Sequence, residues 1–468
     1  MDEVKLSDGV FEQIKDFRHE YLTEEQESLI DKLILNEELK SRYKENGLCY
    51  ECKQPNTGDY YCQACNSKRF QQNFKNWTSG NHDVDEFIQK AQLKAKKESQ
   101  AIEWIEYDKF EDVKYLAKGG FGTIFKAIWN YSYGNYQWQK EVALKCLHNS
   151  QGTTVDLLEE VKSNIIIDNG GWIVRCFGIT KDPKTNNFMM VIQLFDGSLR
   201  QHLDNNFISL DWEKKSYSLH SIADGLKNIH SSGLAHRDFH CGNILSTFSE
   251  TTFITDLGLC QPANVKTSHD GNKKIYGVLP YVAPEVLRGK EYTQASDIYA
   301  FGIIAYEVCT GLPPYHDVAH DEFLALKICQ GLRPKSTYKI PQVFLDIINQ
   351  CWDADPLKRP KADELHESIW NVHLSIRNKH DEENFAINEQ IREANEINEK
   401  SSTAVQTLLS STGALSYTTH PQAVYTSRLL DFNNLPEPKN ADNDETESLE
   451  SLRIGFTKLD VNSKDESN

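Results

Sequence analysis

Ala235-His236-Arg237-Asp238-Phe239-His240-Cys241-Gly242-Asn243-Ile244-Leu245 is the stretch on which the reading of this chain turns. Asp238 is followed five residues later by Asn243. A carboxylate and a carboxamide at that spacing suit phosphoryl transfer, one orienting an acceptor hydroxyl while the other helps to hold Mg²⁺. His-Arg-Asp by itself is a common string. It gains weight from the groups that accompany it in order: Lys118-Gly119-Gly120-Phe121-Gly122, Val142-Ala143-Leu144-Lys145, Asp256-Leu257-Gly258 and Ala283-Pro284-Glu285. Five ordered groups at workable distances are not a product of chance.

This order resembles the protein kinase catalytic domain, over residues 110–374. The resemblance implies an α+β, bilobal fold: a five-stranded sheet plus helix in an N-lobe (110–195) and a mainly helical C-lobe (196–374). It also implies roles. Asp238 is the catalytic base with Arg237 beside it, Asn243 and Asp256 are Mg²⁺ ligands, and Lys145 clamps the ATP phosphates. Glu160 is the helix carboxylate that pairs with Lys145, with Glu159 as its competitor because sequence alone does not fix the helical phase. The nucleotide is expected against Ala117, Gly119, Gly120, Gly122, Ile124, Ala143, Lys145, Gln193, Phe195 and Leu245, with Ile192 as gatekeeper. Glycine matters in the turn because it lets backbone amides approach phosphates closely. Arg359 is expected to pair with Glu285, and Asp297 to brace the catalytic loop. Arg237 is typical of kinases whose activation segment is ordered by a phosphate, which makes Thr267, Ser268 and Tyr276 candidate switches.

Four positions depart from the family pattern: Ala117 stands for the first glycine, Leu257 for Phe, His240 for the Lys common after the catalytic Asp, and Val278 for Thr. Tyr281-Val282-Ala283-Pro284-Glu285 matches the Tyr-x-Ala-Pro-Glu form of serine/threonine and tyrosine-kinase-like enzymes, where tyrosine kinases place Trp. The whole layout is similar to tyrosine-kinase-like proteins of large fungal kinase expansions. It implies ATP-dependent transfer to protein serine or threonine hydroxyls in signalling. A tyrosine or dual-specificity kinase, and an ATP-binding pseudokinase adaptor, are the alternatives.

The remainder of the chain frames that domain. Its 468 residues are 39% hydrophobic with a net charge of -18, a pI near 5.3 and a mean hydropathy of -0.58. An acidic chain exerts no long-range pull on nucleic acid or anionic lipid. No signal-peptide core and no run of about 18 apolar residues is present, so an intracellular, cytoplasmic protein without membrane contact is expected.

Seven of the eleven cysteines stand singly, and four form Cys49-Tyr50-Glu51-Cys52 and Cys62-Gln63-Ala64-Cys65. Two such turns facing each other complete a tetrahedral sulfur shell for structural Zn²⁺, with the module core at about 47–67. A redox dithiol or four unrelated thiols are the other readings. The module belongs to a helical region, 1–107. In it Thr23-Glu24-Glu25-Gln26 reads as a capping box opening a helix, Leu29, Ile30, Leu33, Ile34 and Leu39 supply its apolar stripe, and Gly47 ends it. Residues 83–103 read as a helical connector. After about residue 375 the order is expected to fade, through a charged helical stretch at 383–400 into a disordered acidic tail. Protein substrates are the expected partners, with the N-terminal module and the C-terminal tail, in it Val424-Tyr425-Thr426-Ser427-Arg428-Leu429-Leu430 of the 420–430 patch, as further docking candidates.

Overall fold

The structure, a computed structural model, describes residues 5–118, 122–133, 136–147, 153–167, 171–247, 251–262, 275–400, 417–432 and 434–440. The chain forms two compact units, Met1–Asn169 with Val174–Leu194, and Gly170–Ile173 with Phe195–Asn468.

The first unit opens with α1 (Asp8–Ile14), α2 (Glu24–Leu33) and α3 (Glu37–Asn46). They close on a small core of Ile14, Ile30, Ile34, Leu39 and Tyr43. The capping box at Thr23 forms: its hydroxyl accepts the Gln26 N–H at 3.3 Å, and the Gln26 side chain accepts the Thr23 N–H at 3.1 Å. The single helix expected to run on to Gly47 is instead two. The chain leaves helical geometry at Ile34, and the Asn36 side chain accepts the Leu39 N–H at 2.9 Å to open α3. Asparagine favours that capping role over a helix interior, and the break turns both Ile34 and Leu39 inward while Leu35 is left exposed.

Next come α4 (Gln63–Asn73) and α5 (His82–Lys94). The helix expected over residues 83–103 therefore stops at Lys94, because the chain beyond it is drawn into a sheet as β1 (Glu103–Trp104). Pairing with a partner strand overrides local helical propensity here. The sheet is completed by β2 (Phe110–Lys118), β3 (Gly122–Tyr133), β4 (Tyr136–Leu147), β5 (Cys176–Lys181) and β6 (Phe188–Gln193), with α6 (Thr153–Ile166) between β4 and β5. Its order is β1-β5-β6-β4-β3-β2, so β1 adds a sixth strand, parallel to β5, to the five expected. Gly178 on β5 faces Glu103, and a Cβ there would stand 2.1 Å from the Glu103 carbonyl oxygen. Along β4 side chains alternate. Val142 and Leu144 enter the core with Ala127, Phe110 and Val191, which turns Ala143 and Lys145 to the opposite face.

The second unit is mainly helical. It runs through β7 (Gly197–Ser198), α7 (Leu199–Asn206), α8 (Trp212–Ser231), β8 (Leu234–Ala235), β9 (Ile244–Ser246), β10 (Thr252–Ile254), β11 (Gln261–Pro262) and β12 (Ile275–Gly277). It continues through α9 (Pro284–Leu287), α10 (Gln294–Thr310), α11 (Glu322–Cys329), α12 (Gln342–Cys351), α13 (Ala362–Arg377), α14 (Phe385–Lys400) and β13 (Arg428–Leu430). Helix α10 is buried from Ser296 through Thr310 and mostly apolar, its two carboxylates Asp297 and Glu307 being buried as well, which makes it the core about which the unit packs. The ribbons β7-β9-β10 and β8-β11 hold the loop between β8 and β9 from both ends. Behind them Arg359 donates to both Glu285 oxygens, at 2.7 and 2.8 Å.

The charged helical stretch expected over 383–400 is α14, which docks through Asn395 to Trp212 (2.9 Å), Gln390 to the Val343 N–H (2.9 Å) and Asn398 to the Lys339 N–H (2.7 Å). Paired structure resumes beyond it. Strand β13 pairs antiparallel with β12, and Arg288 grips Glu437 at 2.5 and 2.6 Å. Residues 401–416 and 441–468, which contain most of the expected disordered tail, lie outside the described residues. Among the described residues no helix is long and apolar enough to cross a membrane.

Candidate active site

In the first unit, Lys145 sits on β4, in register with Ile124 on β3 and Met190 on β6. Its ammonium lies 2.6 Å from Glu160 Oε1, and both side chains are buried. The choice between the two glutamates follows from packing. Leu157 and Val161 form the buried face of α6, and Glu160 shares that face, while Glu159 points outward to Lys162 at 2.9 Å. Lys145 is thus held by a partner in a water-poor place, where charge neutralisation fixes its position.

The predicted nucleotide contacts on the same sheet fall on adjoining strands. Ala117 pairs with Ile124, Ala143 with Ile192, and Val142 with Gln193. Gly122 pairs with Leu147, and a Cβ there would come 2.5 Å from the Cys146 carbonyl oxygen. Gly119 and Gly120 lie outside the described residues.

In the second unit the loop between β8 and β9 converges on Asp238. The Asn243 carboxamide donates to the Asp238 carbonyl at 2.9 Å and to its carboxylate at 3.2 Å. His240, a departure from the family pattern, has its Nε2 3.6 Å from the same carboxylate. Its Nδ1 accepts the Gly242 N–H at 3.0 Å, which leaves the ring proton on Nε2, facing Asp238. Burial by itself would raise the Asp238 pKa, but the His240 ring and then the Ser427 hydroxyl hold it below the usual carboxylate value. The group stays ionised at neutral pH.

Asp297, at the start of α10, anchors the loop. It accepts the N–H of His236 at 2.8 Å and of Arg237 at 3.0 Å, and its carboxylate also meets His230 Nε2 at 3.0 Å. Arg237 has φ 72° and Asp256 φ 62°, left-handed conformations that cost about 1–3 kcal/mol each and persist where surroundings enforce them. The Thr255 N–H donates to the Asn243 carbonyl at 3.0 Å, and His236 Nε2 meets the Thr255 carbonyl at 3.1 Å. Those bonds tie the approach to Asp256 to the loop that carries Asp238 and Asn243. Leu257, in place of Phe, is buried. Leu245 pairs with Phe253, whose ring lies 4.8 Å from that of Phe195. The Arg237 guanidinium stacks 5.3 Å from the Tyr292 ring. Of its candidate phosphate partners, Thr267 and Ser268 lie outside the described residues, and Tyr276 is 40% exposed.

The sequence profile of the protein tyrosine and serine/threonine kinase family matches residues 110–369. The chain belongs to the protein kinase family. Similar kinases include the probable serine/threonine-protein kinase roco5 of Dictyostelium discoideum, 30% identical over 289 residues, 57% of this chain and 10% of that protein. A putative serine/threonine-protein kinase/receptor of Acanthamoeba polyphaga mimivirus is 28% identical over 280 residues, 57% of this chain and 16% of that protein. The tyrosine-protein kinase SPK-1 of Girardia tigrina is 26% identical over 276 residues, 57% of this chain and 53% of that kinase. The chain thus spans a small part of the first two relatives and about half of the third.

Within this kinase, sequence reasoning missed three contributors to the loop. His230 and Tyr292 sit in ordinary contexts and carry no local signal. Ser427 Oγ lies 2.5 Å from both oxygens of Asp238, and nothing in its neighbours marks it as belonging to this loop.

Upstream of the kinase domain, the four paired cysteines come together, their sulfurs all within 4.8 Å of one another. Cys49 and Cys65 are 3.8 Å apart and Cys52 and Cys62 3.5 Å, with no disulfide among them. A tetrahedral Zn–S shell of about 2.3 Å bonds puts its sulfurs about 3.8 Å apart, so the donor set fits Zn²⁺. The turn at Cys49 closes through a Lys53 N–H bond to its carbonyl at 2.9 Å, and Cys62 leads directly into α4.

Proposed function

We propose that this chain is an ATP-dependent protein kinase that phosphorylates serine and threonine hydroxyls of other proteins. The observation that carries the reading is the Asp238 carboxylate, ionised, bonded to Asn243 and set in a loop that Asp297 braces. In this reading Asp238 takes the proton of the acceptor hydroxyl as its oxygen attacks the γ-phosphorus of ATP. Lys145, held by Glu160, clamps the α and β phosphates, and Ala117, Gly119, Gly120, Gly122, Ile124, Ala143, Gln193, Phe195 and Leu245 receive the nucleotide. Asn243 and Asp256 would hold Mg²⁺, which neutralises charge on the phosphate oxygens. The serine/threonine preference rests on Tyr281 ahead of Ala283-Pro284-Glu285 and on the names of most of the relatives given above. The division into an N-terminal region (1–107), catalytic domain (110–374) and C-terminal region (375–468) is part of the same proposal. So is a closed, structural zinc on Cys49, Cys52, Cys62 and Cys65, since four sulfur ligands leave no position for substrate.

The test is phosphotransfer from labelled ATP to a basic protein, followed by phosphoamino-acid analysis. Positioning of a hydroxyl by one base is worth about 10² to 10⁴ in rate, so Asp238→Asn is expected to lower kcat at least about a hundredfold with ATP binding retained. Asp256→Asn should weaken Mg²⁺-dependent ATP binding as well. A wild type no faster than Asp238→Asn, yet still binding ATP, makes the chain an adaptor, and phosphotyrosine as the main product overturns the acceptor assignment.

A further inference from the structure

Residues 417–430 lie along the second unit and end at the carboxylate of Asp238. The Tyr417 hydroxyl donates to Asp204 at 2.8 Å, and the His420 N–H donates to the His316 carbonyl at 2.7 Å. The His320 N–H donates to the Gln422 carbonyl at 3.1 Å, while the Tyr425 hydroxyl donates to the Pro314 carbonyl at 2.9 Å. His320 clasps the segment: its Nε2 lies 3.2 Å from the Tyr315 carbonyl oxygen, and its Nδ1 lies 3.0 Å from the carbonyl oxygen and 3.1 Å from the N–H of Val424. Beyond Ser427 the chain becomes β13, whose Arg428, Leu429 and Leu430 pair with Gly277, Tyr276 and Ile275 of β12. Arg428 also donates to the His320 carbonyl at 2.5 Å, and Leu430 is buried. This is β-strand addition, in which an extended peptide takes affinity from backbone bonds and register from side-chain pockets.

The register sets one hydroxyl against the proposed base. Ser427 Oγ donates to the Asp238 carboxylate, 2.5 Å from each oxygen. Its neighbour Thr426 sits at a bend and is exposed, whereas Ser427 is half-buried at the entry to β13. A serine held at the entry to a paired strand and bonded to the proposed base has the geometry of an acceptor about to be deprotonated.

We propose that Ser427 is an intramolecular phosphoryl acceptor, and that the segment from His420 to Leu430 occupies the groove in which this kinase binds serine-containing peptides. The proposal rests on the catalytic role assigned to Asp238. In the step, Ser427 Oγ bonds to the γ-phosphorus of ATP, and the bond from that phosphorus to the β,γ-bridging oxygen breaks. ADP leaves, and the hydroxyl proton passes to Asp238 and on to solvent. Nothing is oxidised or reduced. The product carries a charge of about -1.5 to -2 beside an ionised carboxylate, so it does not remain in the groove, and each chain is labelled there once. The same register names the substrate class: a serine followed by a basic residue and two apolar ones, presented as an extended strand.

The test incubates the full chain with Mg²⁺ and ATP over a tenfold range of protein concentration, maps the phosphates by mass spectrometry, and assays a generic basic protein separately. The expected result is one phosphate at Ser427, formed at a first-order rate that does not change with concentration. Ser427→Ala should lose that phosphate, and Ser427→Thr should restore it as phosphothreonine. Labelling of the basic protein with Ser427 left bare overturns this inference alone, as does a Ser427 rate proportional to concentration. Failure to label either acceptor removes the catalytic reading and this proposal together.

Discussion

Asp297→Asn isolates the brace of the catalytic loop. The carboxylate is 2% exposed and receives two backbone N–H groups, from His236 at 2.8 Å and Arg237 at 3.0 Å, together with the His230 ring at 3.0 Å. His236 and His230 share Oδ2, and Arg237 uses Oδ1. A carboxamide of the same shape keeps its oxygen toward the shared pair and turns its NH₂ against the Arg237 N–H. One hydrogen bond to a charged group, about 1.5–3 kcal/mol, is lost outright, and the others weaken with the charge. The loss falls where it matters, because the Arg237 backbone is left-handed and costs about 1–3 kcal/mol to maintain. A weakening of about 3 kcal/mol corresponds to roughly two decades in rate if the loop must be set before transfer. Steady-state kinetics should show kcat down about a hundredfold and KM for ATP nearly unchanged. Thermal unfolding, run alongside, checks that the fold survives. If kcat stays within about threefold of the wild type with an unchanged Tm, the brace does not hold the loop and the reasoning fails.

Metal analysis should find about one zinc per chain, and Cys62→Ser with Cys65→Ser should abolish it and expose the region around residues 47–67 to protease; unchanged zinc in the double variant refutes the site. Lys215 gives a pH dependence. Burial pushes its pKa from 10.5 down to about 7, in a cage where its ammonium lies 3.9 Å from the Phe207 ring and 4.5 Å from the Trp212 ring. Between those values the unfolded chain binds the proton that the folded chain has lost, so stability should rise as pH increases from about 7 toward 10. The slope contributed is up to about 1.4 kcal/mol per pH unit, and denaturant titrations of Lys215→Met should lack it; equal slopes in the two proteins exclude the effect.

The loop that carries Asp238 was legible because its pattern is local. Asp238 and Asn243 lie in one turn, and a short segment with fixed spacing carries its geometry in its sequence. Pairings across distance were legible only where the family pattern supplied them, as for Arg359 with Glu285. Elsewhere they needed three dimensions. Glu160 rather than Glu159 meets Lys145 because Leu157 and Val161 set the phase of α6. The contact between His230 and Asp297 spans 67 positions, and that between Ser427 and Asp238 spans 189. No periodicity or cap announces such meetings. The helix misread over residues 95–103 failed for a related reason: helical propensity is a local quantity, and the bonds that claimed Glu103 and Trp104 come from β5.

That two-residue strand also bears on where this kinase can be cut. The outer edge of β5 bonds to β1, with the Ile105 N–H continuing to the Ile179 carbonyl at 2.9 Å, and Gly178 has no side chain to shield the gap. A fragment trimmed to the family boundary at Phe110 would bare a flat row of backbone donors and acceptors on an apolar strand, the kind of edge that recruits strands from other molecules. The catalytic sheet ends, in its own hydrogen bonding, ahead of the residue at which family likeness begins.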